Sequence, residues 1–192
     1  MYDDRTNKDF PGDHAIAILN RLPETPLIGA EVGVYRGMLS RWLLWYRPQL
    51  TLLMVDLWAP LFNEDYLNTG DGFAYLSDKE WDATRKQAVH ATEFSKGRSR
   101  MIVAESAVAA SQVADGILDF AFIDDDHSTA GCLRSIKAWL PKVKAGGWIG
   151  GHDYGDWEEL PHFHSGVKAA VDEFFAGRNI ELDIGHTWFV RV

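Results

Sequence analysis

The sequence predicts an open, doubly wound α/β domain, with a mostly parallel sheet, helices on both faces and an antiparallel edge. Short apolar runs of strand length alternate with amphipathic stretches of helix length along most of the chain, the pattern of strands joined by crossover helices. The last two runs, residues 180–184 and 187–192, alternate in polarity around Gly185-His186 and read as a hairpin. Successive strand candidates also end in polar groups: Glu31 with Gly33, Asp56, Glu105 with Ser106, Asp124, and His152 with Asp153. Open parallel sheets bind ligands at the carboxyl ends of their strands, so this repeated placement points to one site.

Residues 1–12 are polar, carry Pro11-Gly12 and read as a loose arm. His14 to Leu22 places Ile16, Ala17, Leu19 and Leu22 at helical spacing and stops at Pro23. Residues 1–24 are thus an N-terminal arm and helix, and residues 25–192 the domain proper. Pro26 opens a buried strand, Leu27 to Val32; Met38 to Tyr46 is a helix ended before Pro48. Thr51 to Val55 is a strand that delivers Asp56. Residues 58–78 combine turn formers (Pro60, Asn63, Asn68, Gly70, Asp71, Gly72) with aromatics, an irregular stretch long enough for a lid. A helix follows over Lys79 to Phe94, then a strand over Met101 to Ala104 and a short helix over Ala107 to Ala114. Ile117 to Ile123 is the clearest strand and runs into Asp124-Asp125-Asp126. Ala130 to Val143 is a helix with Leu133, Ile136 and Leu140 on one side, terminated by Gly146-Gly147, and Trp148 enters the next strand. The last helix spans Val167 to Phe175.

Composition excludes several classes. A length of 192 residues suits one domain, and 46% hydrophobic with 24% charged residues is a globular balance rather than a disordered one. The net charge is −9, and the densest basic cluster, Lys96-Gly97-Arg98-Ser99-Arg100, holds only three cations. A chain that grips nucleic acid through phosphates carries a basic stripe, so no nucleic-acid partner is expected. Cys132 is the sole cysteine, which rules out an intrachain disulfide and reads as a small buried hydrophobe. No leader is evident at Met1-Tyr2-Asp3-Asp4, and no long apolar run follows; the expectation is a cytoplasmic protein with no membrane partner. Eight tryptophans exceed what one core readily takes, so some should line a groove or an interface, and a homo-oligomer is compatible with this.

The stretch Glu31-Val32-Gly33-Val34-Tyr35-Arg36-Gly37 joins a strand to a helix. Glycines there let the backbone turn and approach a ligand, and the helix start offers free N–H groups. Tyr35 replaces the middle glycine of a dinucleotide-binding loop, where a pyrophosphate would need the backbone close. Glu31 suits a cationic group such as the amine of an amino acid. Asp56 lies about 20 residues further on, where a carboxylate accepts hydrogen bonds from ribose hydroxyls, or caps a turn. Leu57 and Trp58 follow; the indole either stacks on an adenine or joins the core. Glu105-Ser106 borders an adenine amine or caps a helix. Asp124-Asp125-Asp126-His127 sets three adjacent carboxylates after a buried strand, a repulsion that a metal, an amine or a sulfonium would relieve.

These stretches, with Lys144-Ala145-Gly146-Gly147 and Gly151-His152-Asp153-Tyr154, resemble the class I S-adenosylmethionine (SAM)-dependent methyltransferases, within them the methyltransferase domain 24 type, over roughly residues 25–192. The resemblance implies a Rossmann-like, seven-stranded sheet with a reversed last strand. It implies that Glu31, Gly33, Val34 and Gly37 cradle the methionine part of SAM. Asp56, Leu57 and Trp58 would serve the ribose and adenine, Glu105 and Ser106 would border the adenine, and Asp124 would lie beside the cofactor. Related O-methyltransferases bind Mg²⁺ through acids at the positions of Asp124 and Asp153. Here His152 precedes Asp153 and Tyr154 follows it. Mg²⁺ prefers oxygen donors, so another divalent cation on Asp124, His152 and Asp153, or no metal, is equally compatible.

Methyl transfer is an in-line displacement in which positioning supplies much of the rate. A hydroxyl nucleophile needs a base or a metal at neutral pH. His127 and His152 are the candidate bases, and Asp124 would orient the substrate or the metal. The expected reaction is methylation of a small-molecule hydroxyl. Two other classes share the pattern: a nucleotide-binding oxidoreductase on a similar fold, and a SAM-binding protein without catalysis.

Overall fold

Residues 10–157 and 162–192 are described by a computed structural model of the chain. At its centre β1 (Leu27–Val32) lies between β2 (Leu50–Asp56) and β4 (Leu118–Ile123), all parallel. Outside them, also parallel, are β3 (Ser99–Val103) next to β2 and β5 (Val143–Gly151) next to β4. The sheet is completed by β7 (Thr187–Arg191), antiparallel to β5, and β6 (Glu181–Asp183), antiparallel to β7. The order β3-β2-β1-β4-β5-β7-β6 is the seven-stranded, mostly parallel arrangement with a reversed last strand. Gly185 and His186 both take positive φ at the final turn, as a tight hairpin requires.

Strand alternation divides the core into two layers. Ala30, Val32, Leu53, Val55, Ala121 and Ile123 face α5 (Ser106–Ala110), α6 (Thr129–Trp139) and α7 (Val167–Phe174). Their neighbours Leu52, Met54, Phe120 and Phe122 face α1 (Asp13–Leu19), α2 (Met38–Tyr46) and α4 (Asp78–Thr92). The helix α1 is packed into this second layer through Ala17 and Ile18. Arg21, just beyond it, is ion-paired with Asp183 and Glu181 and stacked on Phe189. Cys132 is buried in the first layer, where burial pushes its thiol up to about 12, the behaviour of a small hydrophobe.

Two sequence expectations change. The stretch 58–78 is not without structure: Asn63 caps the short α3 (Glu64–Leu67), Asp71 caps a 3₁₀ turn at Gly72–Tyr75, and Ser77 with Glu80 forms a capping box for α4. The glycines Gly146-Gly147 do not end a helix. The helix α6 stops at Trp139, and a 3₁₀ turn containing Pro141 leads directly into β5. Proline lacks the N–H needed to continue the helix. The glycines instead sit in a bulge, where the β4–β5 register jumps from Leu118–Val143 to Phe120–Trp148. A Cβ on Gly147 would come within 2.7 Å of the Asp119 carbonyl oxygen. Among the described residues, no helix is long and apolar enough to cross a membrane.

Candidate active site

The first wall of the site is the turn after β1. Gly33 has φ +91°, and a Cβ there would overlap the carbonyl group of Asp124 at the end of β4. Gly37 starts α2 at φ +75°, with α4 so near that a Cβ would stand 2.8 Å from the Cα of Ala88. Tyr35, between them, adopts φ +53° without being glycine, a strain of roughly 1–2 kcal/mol. Contacts on several sides hold it there. Its ring meets Phe73 at 4.7 Å and Trp81 at 6.1 Å between centroids, and its carbonyl accepts the Trp58 indole N–H at 2.9 Å.

Asp56 ties this turn to the end of β2. Its carboxylate accepts backbone N–H groups of Val34 (2.9 Å), Tyr35 (2.8 Å) and Trp58 (2.7 Å). Burial raises the Asp56 pKa, and these amide bonds oppose the rise. Trp58, expected at the cofactor, is buried beneath the turn as part of the core and is not among the residues that line the cleft.

One large cavity opens at the carboxyl ends of the strands. It is lined by Glu31, Gly33 and Val34 from the first turn, Asp56 and Leu57 from the second, Glu105 and Ser106 from the third, and Asp124 from β4. Gly37 lies outside this lining and serves the packing of α2 on α4. Glu31 is buried and accepts the Ser40 hydroxyl. Burial, reinforced by the charges of Asp124 and Asp56, holds its carboxyl well above the usual range, although the Ser40 bond pulls the other way. Ser106 does not cap α5; Glu105 occupies the cap position. The Ser106 hydroxyl instead accepts the Trp139 indole N–H (3.0 Å) and meets Ser135 (2.8 Å).

The three adjacent carboxylates diverge rather than share one cation. Asp125 points back to the Ser135 hydroxyl (2.7 Å), and burial pushes it up to about 6. Asp126 accepts the Ser128 amide (2.9 Å) and hydroxyl (2.6 Å) ahead of α6, and also Arg134 (3.0 Å) and Asn63 (3.1 Å). Asp124 turns toward His127 Nε2 (3.2 Å) and His152 Nδ1 (3.7 Å).

The histidines are themselves the compensating cations. His127 Nε2 lies 2.9 Å from Asp153 as well as 3.2 Å from Asp124, and His127 Nδ1 lies 2.7 Å from Asp71. With a carboxylate at each nitrogen, both carry protons. Burial disfavours the charged ring, yet the Asp153 charge and the bonds to Asp124, Asp153 and Asp71 raise His127 well above its ordinary value. His152, 3.1 Å from Asp153, is likewise raised to about 10 against the effect of burial, chiefly by the Asp153 charge. In this arrangement the facing carboxylates favour the protonated form of both rings. Asp71 and His14 were not evident from the sequence. Asp71 counted there only as a turn former, 56 residues from His127. His14, in α1, lines the cavity and packs on His152 with ring centroids 3.9 Å apart.

Asp124, His152 and Asp153 each offer a ligand atom within 4.8 Å of the others. His152 Nδ1 is buried and faces both carboxylates, 3.1 Å from Asp153 Oδ1 and 3.7 Å from Asp124 Oδ1. An imidazole nitrogen facing two carboxylates fits a divalent cation once it gives up its proton, and this mixed set suits Mn²⁺, Fe²⁺ or Zn²⁺ better than Mg²⁺.

A family model described as a methyltransferase domain matches residues 30–154. No curated protein matches the sequence. Solved structures share the fold. The calicheamicin methyltransferase CalS11 is similar at TM-score 0.66 and 15% identity, over 93% of this chain and 77% of that one. A SAM-dependent methyltransferase from Aquifex aeolicus is similar at TM-score 0.59 and 12% identity, over 93% and 88%. The O-methyltransferase NovP is similar at TM-score 0.55 and 17% identity, over 91% and 74%.

Proposed function

The chain belongs to this methyltransferase-domain family, and on that premise we propose that it transfers a methyl group from SAM to a hydroxyl of a small molecule, with a divalent cation at Asp124, His152 and Asp153. The observation that carries the reading is the convergence of Glu31, Asp56, Glu105 and Asp124 on one cavity whose wall also holds His127. SAM would supply a methyl group on a sulfonium, and a divalent cation held by Asp124, His152 and Asp153 would supply Lewis acidity toward a hydroxyl. Glu31 would receive the amino group of the cofactor, whose positive charge would favour the ionised form of the buried carboxyl. Asp56 acts on the cofactor chiefly by holding the Val34–Tyr35 turn, since its oxygens already accept the amides there. Tyr35, Phe73, Tyr66 and Trp81 line the same cavity and exclude water from it. A histidine base is reached only after the charge of Asp124 and Asp153 is neutralised, because both rings are protonated while those carboxylates face them.

Calorimetric titration with S-adenosylhomocysteine, the demethylated product, tests the cofactor assignment. Binding is expected in the micromolar range, on the order of typical cofactor KM values. Asp56→Ala removes the anchor of the turn and should weaken binding by roughly tenfold or more, because bonds to a charged acceptor are lost. NADH should not bind, since Tyr35 stands where a pyrophosphate needs bare backbone. An intact protein that binds NADH and not the SAM product would reverse the assignment toward an oxidoreductase.

A further inference from the structure

His127 and a metal would compete for the same carboxylates. Its Nε2 lies 3.2 Å from Asp124 Oδ1 and 2.9 Å from Asp153 Oδ2, and those two carboxylates are two of the three donor groups of the candidate cation site. The ring is not free to swing away. Its other nitrogen is bonded at 2.7 Å to Asp71 Oδ2. Asp71 is itself buried and fixed on several sides, by the Tyr66 hydroxyl (2.9 Å) and by the backbone N–H of Phe73 (3.0 Å). Its own N–H donates to the Thr69 hydroxyl (3.2 Å), and the Thr69 carbonyl accepts the His164 amide (2.7 Å). Asp71 is thus a rigid post on the segment between β2 and α4, with no atom of its own among the metal donors.

We propose that Asp71 is a positioning residue that governs cation occupancy of the site by holding the His127 ring against Asp124 and Asp153. The proposal rests on the cation part of the reading above. An entering cation displaces the His127 ring from the shared carboxylates, and the grip of Asp71 sets how readily the ring leaves. Loss of the ring in turn takes from Asp71 its one charged partner among the described residues, so occupancy of the site and order in the 64–75 segment are linked.

The test is a double-mutant cycle read by calorimetric titration of Mn²⁺ into metal-stripped protein, with S-adenosylhomocysteine binding and circular dichroism as checks on the fold. Asp71→Asn keeps the shape and removes the charge, and should tighten Mn²⁺ binding by roughly tenfold, as loss of a bond to a charged partner does. His127→Gln should tighten it at least as much. Adding Asp71→Asn to His127→Gln should then change nothing, because Asp71 acts only through the ring. Weaker or unchanged binding in the single variants overturns the proposal, as does an Asp71→Asn effect that persists without His127. A second measurement needs no variant: in the wild-type protein, Mn²⁺ should speed backbone hydrogen exchange over residues 64–75, and slower or unchanged exchange counts against the displacement. If no form binds Mn²⁺, both this inference and the cation assignment fall, while product binding still decides separately whether SAM is the cofactor.

Discussion

Gly33→Ala is expected to destabilise the protein by roughly 4 kcal/mol or more, the range reserved for backbone clashes and severe strain. The new Cβ would overlap the Asp124 carbonyl and stand 2.9 Å from the Asp125 nitrogen, all backbone atoms that cannot rotate aside. Neither chain is free to retreat. The Asp124 N–H donates to the Val32 carbonyl at 2.7 Å, and the Gly33 N–H donates to the Val55 carbonyl at 2.8 Å, so the turn is bonded to strands on both sides. At φ +91° the alanine would be strained even without the clash. Gly72→Ala is the matched control, since nothing lies within 4 Å of its Cβ position and its φ is not positive; its effect should stay within about 0.5 kcal/mol. Urea denaturation compares the two. Equal midpoints would mean that the β1 turn and the end of β4 are not in contact as described.

Raising the pH from about 6.5 toward 10 should destabilise the metal-free protein by an amount on the order of a few kcal/mol. His152 titrates near 6.5 in an unfolded chain and near about 10 in the folded cluster. Between those values the native state binds the extra proton, so its contribution is complete below pH 6.5 and is withdrawn as the pH climbs to 10. His127, also raised, adds in the same direction. The carboxylates work at the acid end. Burial opposes their ionisation, but the histidine partners prevail and hold Asp124 and Asp153 below the ordinary value of 3.8. Their contribution is present above that value and fades as the pH falls through the folded values. Denaturation in chelator across pH 5–10 reads this directly. His152→Asn should flatten the alkaline limb, and a wild-type protein of constant stability from pH 7 to 9 would show that the rings are not the protonated partners of Asp124 and Asp153.

The sequence by itself determined the strands, the longer helices and their order. The bounds Leu27–Val32 and Met38–Tyr46 are those read from apolar runs and flanking prolines, because period and punctuation act within a few residues. It also placed Glu31, Asp56, Glu105 and Asp124 at strand ends, which parallel pairing then gathers at one cavity. Only the tertiary structure decided what each side chain meets. Asp124, Asp125 and Asp126 look alike in sequence and part in three directions, toward the histidines, toward Ser135, and toward Ser128, Arg134 and Asn63. Gly146-Gly147 has the signature of a helix end, yet it relieves a bulge against Asp119. Asp71 belongs to the cluster because the segment after β2 folds over the end of β4 and meets a ring 56 residues away. Charge partners follow from which elements cross, and that depends on the packing of whole helices on the sheet, a long-range matter to which no local spacing corresponds.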